Sequence, residues 1–66
     1  MRIQLNGQST EVTGTPTVAG LLEQTGLAGR KVAVEVNQEV VPRSRHEQHA
    51  LAEGDRVEII HAIGGG

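Results

Sequence analysis

Sixty-six residues with a net charge of −2, no cysteine and no aromatic side chain make one small domain and exclude several functions at once. Without cysteine there is neither a disulfide framework nor a thiolate metal site, and without aromatic rings or a basic block neither stacking on bases nor neutralisation of phosphates is available, so no nucleic acid is expected as a partner. No apolar run approaches the roughly 18 residues of a membrane span and no charged-then-apolar leader opens the chain, so a cytoplasmic protein that contacts no membrane is expected.

The opening segment, MRIQLNGQSTEV, sets Asn6-Gly7 between two alternating stretches. A two-residue loop needs positive φ at both central positions, which Asn and Gly tolerate best, so a tight β-hairpin is predicted. Pairing across it sets Leu5 opposite Gln8, Ile3 opposite Thr10 and Met1 opposite Val12 on one face, with Arg2 facing Glu11 on the other. After Gly14, TPTVAGLLEQTGL predicts a short helix. Thr15 or Thr17 supplies the N-cap, and Val18, Leu21 and Leu22 form an i, i+3, i+4 stripe toward the core. Gly26 ends the helix, and a left-handed residue there brings Leu27 back onto Leu22. Gly20, inside the helix, weakens it by about 1 kcal/mol relative to alanine, and nothing else in the sequence explains its presence.

In KVAVEVNQEVV, Val32, Val34 and Val36 alternate with Ala33 and Glu35, Asn37-Gln38 turns the chain, and Val40 and Val41 resume before Pro42 ends ladder pairing. This is a second strand pair. RSRHEQHALAEGD is polar and irregular, with Leu51 as its core anchor and Gly54-Asp55 as a turn. DRVEIIHAI predicts the last strand, with Val57, Ile59 and His61 on one face and Glu58, Ile60 and Ala62 on the other. Both faces carry apolar residues. Either the strand is buried on two sides, or the single helix covers one face of the sheet and leaves Ile60 and Ala62 on an exposed apolar patch of the sort that marks partner surfaces. The predicted core between helix and sheet is Ile3, Leu5, Val12, Val18, Leu21, Leu22, Val34, Val57 and Ile59.

No catalytic constellation stands out. Ser9, Ser44 and the threonines lack a nucleophile elbow. His46 and His49, with Glu47 between them, could both reach a metal if locally helical. Two histidines without a third ligand read more simply as a solvated polar face, so no metal site is expected. His61 reads as a structural residue of its strand. Gly64, Gly65 and Gly66 form no phosphate loop, because no helix follows to supply amide groups. A frayed tail is the plainest reading of three glycines, but this tail is launched from an apolar, structured strand. The α-carboxyl of Gly66 is ionised at neutral pH, and glycine backbone approaches walls that a Cβ would block. Such an end suits passage into another protein's active site. Each fixed backbone residue costs about 1–2 kcal/mol of entropy, which docking through Ile60 and Ala62 would offset.

A length in the mid-sixties, IQLNG at the start, TVAGLLEQ as the helix, VAVEVNQEVVPR in the middle and EGDRVEIIHAIGGG at the end together resemble the ubiquitin-like sulfur carriers of the β-grasp fold, and among them the carriers of thiamine biosynthesis. The resemblance spans the whole chain. Small subunits of molybdopterin synthase share the fold and the Gly-Gly end but are usually longer and look less like NQEVVPR. The missing aromatics and Gly20 depart from the pattern without touching the terminal motif.

The resemblance implies an α+β, ubiquitin-like β-grasp domain over residues 1–63, its mixed five-stranded sheet in the order 2-1-5-3-4 with one helix packed on one face, and a flexible glycine tail over 64–66. It also implies a chemistry. Gly66 is adenylated on a ubiquitin-activating-like adenylyltransferase that uses ATP, with Gly64 and Gly65 threaded into that enzyme and Ile60, Ala62 and Ile63 in contact with it. Persulfide sulfur from a donating enzyme then displaces AMP to give a thiocarboxylate, and a thiazole synthase receives the sulfur. The chain would be a protein substrate rather than an enzyme and would bind no cofactor of its own. The alternatives are a molybdopterin-synthase-like carrier, a carrier for another pathway, or a non-covalent ubiquitin-like interaction module that needs the sheet face but no free terminal glycine.

Overall fold

The structure is a computed structural model that describes residues 1–61. Its elements are β1 (Arg2–Leu5), β2 (Gln8–Glu11), α1 (Val18–Gln24), β3 (Val32–Val36), β4 (Glu39–Val41), a 3₁₀ turn (Arg43–Arg45) and β5 (Arg56–His61). The first hairpin has the predicted register, with Asn6 at φ 51° and Gly7 at φ 82°. Arg2 and Glu11 meet across it at 3.1 Å, an exposed pair that adds little stability. The second hairpin turns at Asn37 and Gln38, with φ 52° and 70°.

Both ends of α1 follow from local chemistry. The Thr17 hydroxyl accepts from the Gly20 N–H at 3.2 Å, satisfying one of the amides that a helix start leaves open. At the other end Gly26 adopts φ 77°. The Leu27 N–H donates to the Leu22 carbonyl at 2.7 Å and the Gly26 N–H to the Glu23 carbonyl at 3.2 Å, which is the Schellman ending predicted from Gly26 and Leu27. Gly20 also finds its reason: a Cβ there would lie 3.0 Å from the Pro16 Cβ, so the residue lets the turn before the helix close tightly.

The strands form one sheet in the order β2-β1-β5-β3-β4. β5 is central, parallel to β1 and antiparallel to β3. Helix α1 covers one face, where Val18, Leu21 and Leu22 pack with Ile3, Val12, Val34, Val57 and Ile59, joined by Val36, Val41 and Leu51. Leu5, predicted as core, is partly buried against this cluster. Leu51 is the anchor expected of its stretch.

The polar segment before Leu51 differs from its predicted character in one respect. His46 is not part of a solvated face; it is 7% exposed, and its ring Nε2 lies 3.0 Å from the Val41 carbonyl. A carbonyl can only accept, so Nε2 carries the proton. The physical reason lies in the backbone around it. The Ala19 N–H donates to the His46 carbonyl at 2.8 Å and the Val18 N–H to the His49 carbonyl at 2.9 Å, so this loop closes over the start of α1 and satisfies its open amides.

Candidate functional site

Strand alternation decides what the uncovered face displays. On β5, Val57 and Ile59 enter the core, which turns Glu58 and Ile60 outward. On β3, Val34 and Val36 are buried and Ala33 and Glu35 face the other way; on β4, Val41 is buried and Val40 is exposed. Register then brings these outward residues together. Ala33 stands opposite Ile60, and Glu35 stands between Glu58 on β5 and Val40 on β4. Ile60 is 49% exposed and Val40 66%.

Of the two readings of the last strand, the exposed patch is therefore the one found for Ile60. Its neighbours Ala33 and Val40 belong to the same patch and were missed from the sequence. The signal was present in the alternation of Val34 and Val41, which commits the residues beside them to the open face. The other predicted contact and tail residues, Ala62, Ile63, Gly64, Gly65 and Gly66, lie outside the described residues. They follow directly on β5, whose last residue, His61, pairs with Val32 at the start of β3.

The remaining candidates do not assemble into a second site. His46 is held by Val41, His49 is half-buried and His61 is exposed. Among the described residues no group of three or more His, Cys, Asp or Glu side chains could hold a metal ion, and no helix is long and apolar enough to cross a membrane. A groove of about 480 Å³ opens on the helix side, lined in part by Leu22, Arg30, Arg43, His46 and Glu47. It mixes both signs of charge and lies across the sheet from Ile60.

With this geometry in hand, comparison with known proteins is direct. A family model described as the ThiS family matches residues 3–66. The thiazole synthase of Paramagnetospirillum magneticum is 44% identical over 66 residues, which are 100% of this chain and 20% of that protein, so the chain spans only a small part of that relative's length. The sulfur carrier protein ThiS of Escherichia coli is 35% identical over 66 residues, 100% of both chains. The crystal structure of the thiamine biosynthesis protein (ThiS) from Geobacter metallireducens matches with a TM-score of 0.87 and 33% identity, covering 100% of each chain.

Proposed function

Because this chain belongs to the ThiS family and has that family's β-grasp fold, we propose that it is a sulfur carrier of thiamine biosynthesis whose covalent site is the carboxyl of Gly66. The observation that carries the reading is the extent of the match. The family model runs through the glycines to residue 66, and a named carrier is matched along its whole length.

In this reading a carboxylate oxygen of Gly66 attacks the α-phosphate of ATP on an adenylyltransferase and pyrophosphate leaves. The terminal sulfur of an enzyme persulfide then displaces AMP from the acyl-adenylate, and a thiol cleaves the resulting acyl disulfide to leave a thiocarboxylate. Activation is needed because a carboxylate is a poor acyl donor, whereas AMP is a good leaving group. Gly64 and Gly65 let the backbone pass a narrow channel, while Ile60, Ala62 and Ile63 hold the domain against the enzyme. The chain is then a protein substrate, ATP belongs to its partner, and a cytoplasmic setting goes with ATP-dependent activation. That a thiazole synthase contains a stretch similar to this entire chain supports such an enzyme as the acceptor of the sulfur.

The test is intact-mass analysis after incubation with ATP and the cognate adenylyltransferase. An acyl-adenylate should form at the last residue, and with a sulfur donor one oxygen should be exchanged for one sulfur. Deleting Gly66 shortens the reach by about 3.3–3.6 Å and should suppress adenylation severely, because misplacement on that scale removes in-line geometry. Gly65→Val should do the same, and His49→Ala should not. Sulfur on any other residue, or full activity without Gly66, overturns the assignment.

A further inference from the structure

Glu35 and Glu58 stand directly opposite one another across β3 and β5, on the face that α1 leaves open. Glu35 is half-buried and Glu58 exposed. Among the described residues neither carboxylate is found in an ion pair; the salt bridges seen there join Glu11 to the Met1 amine and to Arg2. Arg56 lies two positions before Glu58 on the same face and lines a small surface pocket with Glu35, Gln38 and Glu58. It makes no ion pair with either glutamate, so its charge softens the repulsion without bridging the two. Like charges in directly opposed positions destabilise a sheet, and these two sit on paired strands in its middle, where the backbone cannot swing them apart. Ile60 and Ala33 flank the pair along the strands, and Val40 flanks Glu35 across them.

We propose that this face receives a partner surface that sets one arginine guanidinium between Glu35 and Glu58 and an apolar side chain against Ile60, Ala33 and Val40. The proposal rests on the reading of the sheet face as the docking surface and adds the chemistry of what docks there. A guanidinium is a planar fork of N–H donors able to bond two carboxylates at once, which a lysine ammonium matches less well. Apolar contact beside it removes water and strengthens the charge-assisted bonds. Binding would also relieve the repulsion that the free domain carries. The same charges argue against other occupants. A second copy meeting this face with its own would bring carboxylate pairs together, and a nucleic acid or an anionic lipid surface would add further negative charge.

Glu35→Gln and Glu58→Gln test the idea in two measurements. In thermal unfolding of the free chain each variant should be at least as stable as the parent and should gain less from added salt. In titration against the purified adenylyltransferase each should bind about tenfold or more weakly, with the double variant losing less than the product of the two single losses. Ile60→Ser is the control for the face itself and should also weaken binding. If the Gln variants bind like the parent while Ile60→Ser does not, the guanidinium bridge is wrong and the docking face stands. If Ile60→Ser also binds like the parent, the docking face falls, and the bridge with it. A Gln variant that melts below the parent overturns the premise that the pair is unneutralised.

Discussion

Asn6 shows how much one short polar side chain can do. It takes the left-handed conformation that the hairpin turn requires, its N–H donates to the Val57 carbonyl at 2.9 Å, and its Oδ1 accepts from the Ile59 N–H at 2.8 Å. β1 and β5 pair through Leu5 and Val57, so beyond that point the Asn6 side chain stands in for the next residue of β1. Asn37 does similar work at the other turn, accepting from the Arg56 N–H at 3.0 Å and donating to Asp55 at 3.1 Å. The Asn6→Gly variant separates the roles, since glycine keeps the positive φ without steric cost but cannot accept from Ile59. A loss of about 0.5–1.5 kcal/mol in urea unfolding is expected; an unchanged midpoint would mean that the turn conformation is the whole contribution of Asn6.

At the scale of elements, α1 is the informative case. Its seven residues fall short of the roughly 12–15 that an isolated helix needs in water, so it depends on its caps and on the stripe it buries. Leu22 is 7% exposed and also receives Leu27 at the helix end. The Leu22→Ala variant should lose about 2 kcal/mol or more in denaturant unfolding, and a change below about 0.5 kcal/mol would place that side chain at the surface. The helix and both hairpins were legible in the sequence because cap, stripe, Gly26 and the turn asparagines are local signals. The seat of residues 43–50 was not. Its contacts are carbonyls offered to amides of α1 far away in sequence, and a buried histidine bonded to a carbonyl has the same letter as a solvated one. The site divides the same way: Ile60 could be found from alternation and the presence of one helix, whereas the opposition of Glu35 and Glu58 depends on register between strands distant in the chain.

At the scale of the molecule, a domain near 60 residues removes only about 60% of its unfolded surface from water, and the core cluster of this one is built from Ile, Val and Leu side chains without an aromatic ring. One layer of helix against one layer of sheet makes the two faces of β5 unequal, which two adjacent residues should report. Ile59 is 6% exposed and Ile60 49%. Ile59→Ala should cost about 2–5 kcal/mol, and Ile60→Ser should stay within about 0.5 kcal/mol of the parent; similar losses for both would mean that the second face is also covered in the free protein. The central place of β5 has a mechanical consequence as well. β1 grips it on one side and β3 on the other, through hydrogen bonds perpendicular to the strands on the antiparallel β3 side and slanted ones on the parallel β1 side. Traction applied beyond His61 along the axis of β5 therefore loads both ladders in shear, and their bonds must yield together instead of peeling one by one as they would from an edge. The strand that leads to the glycines is thus held on both sides, unlike the edge strands β2 and β4, and a pull on the chain end meets two ladders at once before the domain behind it can unravel.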